Sequence, residues 1–284
     1  MLIYFYTTQL ILYNYKMISL KETNFDTIKK LYQIMYDTHQ IFKKNGVKYW
    51  ADGGTLLGAV RHKGVIPWDD DLDIGILSKD ISKFLNLEKQ FSRCGYSICK
   101  VWFGYKIYFT NKKKVKNNGE PQCYSFPFID VLPYNKFPDG IYRLSLKEAR
   151  DMWPKEVWKE KDLFPIVEYA FGDFNIAGPN SYKNYFDNYY GKDWNEVAYR
   201  EYDHEQEKRI ESIKVKLTNN MRKSAYPNNT TDKSILDILY NKHRDVYYIE
   251  KNLVYFPINI FFLFLFFFLL FLWVKTKKLK RILY

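Results

Sequence analysis

The sequence predicts an α/β domain followed by one membrane-spanning helix, and three observations predict it. Between residues 25 and 132, segments with apolar residues three and four apart alternate with short strand-like segments. That is the order expected of a mixed sheet flanked by helices. Two aspartates, Asp71 and Asp73, stand two apart in one strand-like segment, directly after Asp69 and Asp70. Val254–Val274 is apolar almost throughout, with Pro257 and Asn259 as interruptions near one end. A run of about 20 apolar residues at about 1.5 Å per residue crosses the ~30 Å hydrocarbon core of a bilayer.

The elements follow in order. Residues 1–20 form an apolar N-terminal extension, broken by Thr7, Thr8, Gln9 and Asn14 and lacking the basic start of a signal peptide. It reads as a weak anchor, and a start at Met17 would remove it. Phe25, Ile28, Leu31, Met35 and Phe42 then mark one face of a helix, with Thr23 or Asn24 as its cap and Gly46 as its end. Val47–Ala51 reads as a short strand running into the turn Asp52-Gly53-Gly54-Thr55, and Leu56–Val60 as a short helix. Asp71–Ile76 alternates as a strand. From Ser78 a helix is expected with Ile81, Phe84, Leu85 and Phe91 inward. Strands follow over Tyr96–Val101 and Tyr105–Thr110, then a polar loop over Asn111–Glu120, then a strand over Ser125–Leu132 closed by Pro133. From about residue 140 the patterns are mainly helical. The organisation is therefore an extension over 1–20, an α/β domain over 21–214, a polar linker or stalk over 215–253, the span over 254–274 and a basic tail over 275–284.

The formal net charge of +12 favours anionic partners, whether phosphorylated compounds or an anionic membrane surface. Nucleic acid is not the expected partner: no zinc finger, basic helix-turn-helix or RNA-binding aromatic signature is present. The lysines are scattered apart from Lys112–Lys116 and Lys275–Arg281. The three cysteines, Cys94, Cys99 and Cys123, include no close pair of zinc-ligand spacing, and an odd count argues against a disulfide framework. They are expected as packed thiols. The membrane orientation is pulled two ways. The basic tail favours a cytosolic C-terminus, whereas a lone C-terminal span behind a poor leader favours a cytosolic main domain.

The chemistry concentrates in Tyr49–Ile76. Strand alternation puts the carboxylates of Asp71 and Asp73 on one face. Side by side they repel unless a cation lies between them, and hard oxygen ligands select Mg²⁺ or Mn²⁺. Gly53 and Gly54 lead into a helix start, where backbone N–H groups favour an anion. Thr55 adds a hydroxyl, and Arg61 and Lys63 add positive charge between the turn and the aspartates. Each piece alone is weak, because Gly-Gly is usually a turn and an acidic run is usually a solvated surface. Together, strand, Gly-Gly turn and Asp-x-Asp on the next strand match the pattern of the nucleotidyltransferase fold. That pattern needs a third carboxylate on a later strand. Asp130, a lone acid in the apolar Phe128–Pro133, fits, because a charge there is costly unless paired or metal-bound.

The stretch DGGTLLGAVRHKGVIPWDDDLDIGI closely resembles the signature of the LicD family, which includes fukutin and fukutin-related protein. FIDVLPY resembles that family's segment with the third acidic residue, and Phe171–Pro179 with Tyr182–Trp194 is similar to its C-terminal portion. The resemblance covers roughly residues 25 to 200. It implies a polymerase-β-type mixed-sheet core and metal-dependent transfer of a phospho-alcohol, such as phosphocholine or ribitol phosphate. The donor would be CDP-linked and the acceptor a hydroxyl on a glycan, glycolipid or glycoprotein. Carried onto this chain, Asp71, Asp73 and Asp130 would hold Mg²⁺ or Mn²⁺, with Asp130 also a candidate to activate the acceptor. Gly53, Gly54, Thr55, Arg61 and Lys63 would contact donor phosphates. Asp69, Asp70, His62 and Lys106 are auxiliary candidates. The zinc-binding Cys/His cluster associated with fukutin-related protein is not evident. Two other readings compete: a nucleotidyltransferase moving NMP from an NTP with the same carboxylates, and an inactive membrane-bound glycan-binding scaffold. Trp50 and Trp68 flank the motif and are expected to pack. Tyr189, Tyr190, Gly191 and Trp194 are expected to close the domain.

Overall fold

The computed structural model describes residues 20–225. Helix α1 (Phe25–Asn45) is longer than its periodicity required, and its ends are those the sequence marks. Asn24 Oδ1 accepts the Thr27 N–H at 2.9 Å, and Gly46 turns the chain with φ 62°, the left-handed conformation that glycine adopts without a Cβ clash. Ile28, Leu31, Met35 and Phe42 are almost fully buried, whereas Phe25 at the first turn is exposed. The buried stripe packs on the sheet and on the small hairpin described below.

The central sheet begins with β1 (Tyr49–Ala51), β2 (Leu72–Leu77), β3 (Tyr96–Val101), β4 (Gly104–Phe109) and β7 (Phe128–Lys136), in the order β1-β2-β7-β4-β3. β8 (Ile141–Leu144) extends β7, and β9 (Val157–Lys159) extends β8. β2 and β7 run parallel and the other pairs antiparallel, so the sheet is mixed. Helix α2 (Gly53–Arg61) bridges β1 and β2, so Gly53 and Gly54 form its first turn and not a separate loop. Gly75 of β2 lies flat under Trp50, where a Cβ would come within 2.2 Å of the indole. Trp50 is buried against Tyr134, as expected of a packing residue.

Several elements differ from expectation. After a 3-10 turn at Ser78–Asp80, the expected single helix is broken into α3 (Ile81–Leu85) and α4 (Glu88–Arg93). Phe84 and Phe91 are buried, but the break rotates Leu85 into solvent. The polar loop Asn111–Glu120 is instead a hairpin of β5 (Lys114–Asn117) and β6 (Glu120–Ser125), turning at Asn118 and Gly119, both with positive φ. Phe126-Pro127, a cis peptide, separates β6 from β7. β7 does not stop at Pro133. The Pro133 carbonyl accepts the Ser145 N–H, so its nitrogen faces the same sheet edge. On that edge β4 last pairs at Val131 and β8 first pairs at Tyr134. The missing donor thus falls in the gap between two partner strands, where proline is tolerated.

The second half is not mainly helical. Short helices α5 (Lys147–Met152), α6 (Glu160–Leu163) and α7 (Lys183–Tyr189) intersperse the hairpins β10 (Val167–Phe171)/β11 (Phe174–Gly178) and β12 (Val197–Asp203)/β13 (Lys208–Lys216). Aromatic residues carry these segments and pack as readily on a pleated surface as on a helix. Residues 217–225, expected within the linker, continue the fold: Leu217 N–H donates to Glu196 O and Ala225 N–H to Val65 O. Cys99 and Cys123 are joined in a disulfide, against the expectation of free thiols. β3 and β6 bring their Cα atoms to 6.2 Å across a sequence separation of 24, a proximity that spacing alone does not reveal. Among the described residues no helix is long and apolar enough to cross a membrane. The expected span 254–274, the basic tail and the extension up to residue 19 lie outside the described residues.

Candidate active site

Three adjacent strands build the centre. In the parallel β2–β7 register Asp73 stands opposite Asp130, and in the antiparallel β4–β7 register Lys106 stands opposite Asp130. Residues opposite one another share a face of the sheet, so Asp73, Asp130 and Lys106 form one row. Asp71, two residues before Asp73, joins that face. The carboxylates of Asp71, Asp73 and Asp130 offer oxygens all within 4.8 Å of one another. The structure thus brings together the three acids singled out from the sequence.

Their surroundings are acidic. Burial raises the Asp71 carboxyl to about 8, with Asp69, Asp130 and Asp70 adding repulsion that His204 partly offsets. Burial and then Asp71 push Asp73 well above the usual carboxylate range. Asp130 is raised by burial, against which Lys106 Nζ stands at 2.6 Å. Three carboxylates, Asp71 and Asp130 buried and Asp73 half-buried, that repel one another and share one face fit a hard divalent cation, which would relieve that repulsion with oxygen ligands.

The start of α2 is pressed against these acids. A Cβ on Gly53 would meet Asp73 Oδ2 at 2.9 Å, and one on Gly54 would meet Asp69 Oδ2 at 2.6 Å. Gly53 also has φ 47°. Glycine here lets the positive end of a helix approach carboxylates closely. Thr55 is buried, and its Oγ accepts the Asp73 N–H at 2.7 Å, which fixes the backbone under the acid.

The other sequence candidates separate. A cavity of about 560 Å³ is lined by Gly53, Gly54, Arg61, Asp69, Asp71, Asp73 and Asp130, but not by His62, Lys63, Asp70 or Lys106. Arg61 is committed in part, its Nη1 donating to Trp194 O at 2.6 Å and Val197 O at 3.0 Å. Burial lowers it to about 10. Lys63 is exposed, with φ 59°, and its carbonyl accepts the Gly172 N–H. His62 is buried against Trp68 and hydrogen-bonds Met221 O through Nε2 at 3.0 Å. Burial and the neighbouring Arg61 drop it to about 3, which favours the neutral ring. Lys106 does not reach into the cavity: its Nζ lies 3.3 Å from the Phe128 ring centre and neutralises Asp130. Asp69 is raised to about 6 by burial and by Asp70.

Sequence reasoning missed several cavity residues. His204, in the turn after β12, places Nδ1 2.7 Å from Asp70 and Nε2 3.3 Å from Asp71. Nδ1 hydrogen-bonds Asp70, and Nε2 stands within ion-pairing distance of Asp71. Burial opposes charge on the ring, but Asp71, Asp70 and Asp69 lift it to about 10. Arg200 of β12 pairs with the other Asp70 oxygen at 3.0 Å. No spacing signal links His204 to Asp71; only the β12–β13 hairpin joins them. Tyr189 and Tyr190, expected merely to close the domain, line the cavity, as do Trp68 and Glu156.

Glu156 belongs to a buried network under α2. Tyr134 Oη lies 2.6 Å from Asp52 Oδ2 and 3.1 Å from Glu156 Oε2, and Tyr185 Oη donates to Glu156 Oε2 at 2.7 Å. Tyr134 has one hydroxyl hydrogen to share between two carboxyl neighbours, an arrangement that favours a proton kept on the pair. Burial raises both acids, Asp52 to about 6 and Glu156 well above its usual range.

Comparison with known proteins bears on these residues. Residues 46–181 match the family described as LicD/FKTN/FKRP, nucleotidyltransferase domain. The uncharacterized protein RP689 of Rickettsia prowazekii is 39% identical over 150 residues, 53% of this chain and 50% of that protein. The human ribitol 5-phosphate transferase FKRP is 28% identical over 159 residues, 53% of this chain and 29% of that protein. The lipopolysaccharide cholinephosphotransferase LicD of Haemophilus influenzae is 41% identical over 49 residues, 17% of this chain and 18% of that protein. The chain thus spans half or less of the length of these relatives. Among solved structures, ANT(2")-Ia in complex with adenylyl-2"-tobramycin aligns at 10% identity over 51% of this chain and 67% of that one, with a TM-score of 0.34, too slight to argue from. All three clustered aspartates fall inside the matched residues, and His204 falls outside them. Through residues 46–181 the chain belongs to the LicD/fukutin family.

Proposed function

We propose that this protein is a phosphotransferase that moves a phospho-alcohol group, of the phosphocholine or ribitol-phosphate type, from a CDP-linked donor to a hydroxyl of a glycan or glycoconjugate. The observation that carries the reading is the convergence of Asp71, Asp73 and Asp130 on one face of the sheet, inside the family-matched residues and facing one cavity. The names of FKRP and LicD support the class of group transferred.

Asp71, Asp73 and Asp130 would hold Mg²⁺ or Mn²⁺, which when bound would neutralise phosphate charge in the transition state. Gly53 and Gly54 offer the N–H end of α2 to a phosphate oxygen. Arg61 and Arg200 line the same cavity and supply positive charge beyond the carboxylates. In the reaction, the acceptor hydroxyl oxygen bonds to the phosphorus that bears the alcohol. The bond from that phosphorus to the CMP oxygen breaks, and CMP leaves with the electron pair. The acceptor proton passes to Asp130, the one acid of the three paired with a lysine. On the apolar pattern of Val254–Val274, we take the chain to work at a membrane as a single-pass protein.

The test uses the full chain in detergent with Mn²⁺, CDP-ribitol or CDP-choline and a panel of glycan acceptors, following CMP release. Metal-dependent CMP release, abolished in Asp71→Asn and Asp73→Asn, is expected. Pyrophosphate release from an NTP instead of CMP would assign NMP transfer. No product from either donor class with a folded, Mn²⁺-binding protein would reject the reading.

A further inference from the structure

Among the described residues, Phe25, Leu85, Trp102 and Met152 are the large apolar side chains left exposed. Met152, at 55% exposure, lines the acidic cavity, and Trp102, at 52%, stacks on Trp153 of the same lining. Trp102 occupies the turn between β3 and β4, a position that polar residues ordinarily hold. Its indole stacks on that of Trp153, which follows α5, with ring centres 5.2 Å apart and planes 21° from parallel. Phe103 meets Trp153 edge-on at 5.4 Å. Phe103, Met152 and Trp153 line the cavity itself. A tryptophan that filled a core would not be half exposed, and a clustered apolar rim around a polar site marks a binding surface.

We propose that Trp102 and Trp153, with Phe103 and Met152 beside them, form a subsite for the apolar face of a pyranose ring in the acceptor. The proposal rests on the phosphotransfer reading above and names how that site holds its acceptor. A pyranose has a face of C–H groups and an edge of hydroxyls. The electron-rich face of an indole attracts the C–H groups. Lys155 and Tyr189, in the same lining, supply donors and acceptors for the hydroxyl edge. The small nucleotide donor needs the enclosed end, where the carboxylates and the start of α2 meet. The acceptor continues beyond the reacting sugar, so its partners belong at a half-exposed rim from which the rest of the glycan passes into solvent.

The test is saturation-transfer NMR on the full chain in detergent. The probes are methyl pyranosides of the gluco and galacto series, their 2-acetamido counterparts and, separately, CMP. At least one pyranoside is expected to bind at tens of millimolar. Trp102→Ala should weaken it about fivefold, the equivalent of about 1 kcal/mol for one stacking contact. Trp102→Phe should retain most of the binding, and CMP binding should stay within about twofold in both variants. Trp102 stands on an exposed turn, so its variants keep the fold, which the melting temperature checks. No pyranoside binding to the wild type, or pyranoside binding indifferent to Trp102→Ala, overturns the proposal. Weakened CMP binding in Trp102→Ala overturns it in favour of a nucleobase platform. Pyranoside binding that depends on Trp102, in a protein that releases no CMP from any donor, upholds the subsite and rejects the phosphotransfer reading.

Discussion

Metal should stabilise this protein more as pH rises, and removing Asp71 should weaken that dependence. The folded state raises Asp71 from the usual carboxylate range to about 8 and holds His204 charged up to about 10. Both groups bind protons more tightly when folded. Their contribution is therefore complete at low pH and is lost as pH rises through the window between the unfolded and folded values. Each pH unit in that window costs about 1.4 kcal/mol per group, so going from about pH 5.5 to about pH 8 costs about 3 kcal/mol through Asp71 alone. Asp73 and Asp130, also raised, add in the same direction. A divalent ion at about a hundredfold its dissociation constant restores about 2.7 kcal/mol. For a domain of about 200 residues that is a rise of about 5–10 °C in melting temperature. The assay is thermal unfolding in EDTA and in Mn²⁺ across that pH range, for the wild type and Asp71→Asn. The wild type should melt progressively lower in EDTA as pH rises, and Mn²⁺ should restore it most at the alkaline end. Asp71→Asn should melt above the wild type in EDTA near pH 8 and respond little to Mn²⁺. A wild-type melting temperature in EDTA that is flat or rises with pH, or a full Mn²⁺ response in Asp71→Asn, refutes the argument.

Other outcomes follow from the same geometry. Lys106→Met leaves Asp130 without its cation and should cost about 3–5 kcal/mol in urea unfolding, most of it recovered in the double variant with Asp130→Asn. Tyr134→Phe removes the hydroxyl shared by Asp52 and Glu156 and should cost about 1.5–3 kcal/mol. Glu156→Ala leaves the Tyr134 and Tyr185 hydroxyls without their shared acceptor and should lower stability by about 1–3 kcal/mol, read from the unfolding midpoint. Gly75→Ala drives a methyl into the Trp50 indole and should destabilise by about 1–3 kcal/mol, measured by the unfolding midpoint.

Much was legible because it is local. The spacing of Phe25, Ile28, Leu31, Met35 and Phe42, the Asn24 cap and the Gly46 stop together specify α1, since capping and amphipathicity act within a few turns. The two-residue spacing of Asp71 and Asp73 specifies a shared face by pleat geometry alone. Asp130 was readable because an acid in an apolar strand carries a cost that something must relieve.

What the tertiary structure decided depends on chain segments meeting. Lys106, expected near a phosphate, became the counter-ion of Asp130 because the β4–β7 register sets them opposite each other. Thr55, expected on the ligand, was taken by the Asp73 backbone once β1, α2 and β2 closed together. Cys99 and Cys123 were joined by two hairpins, and His204 and Arg200 were carried to Asp70 by a third. Local propensity also failed where aromatic residues suit either helix or strand, as in the hairpins after residue 140. The sequence by itself determined which acids must lie together, because their chemistry and spacing are properties of one short stretch and one strand. Which cations face those acids is a matter of strand register and hairpin placement, contacts between residues far apart in the chain that no local pattern encodes.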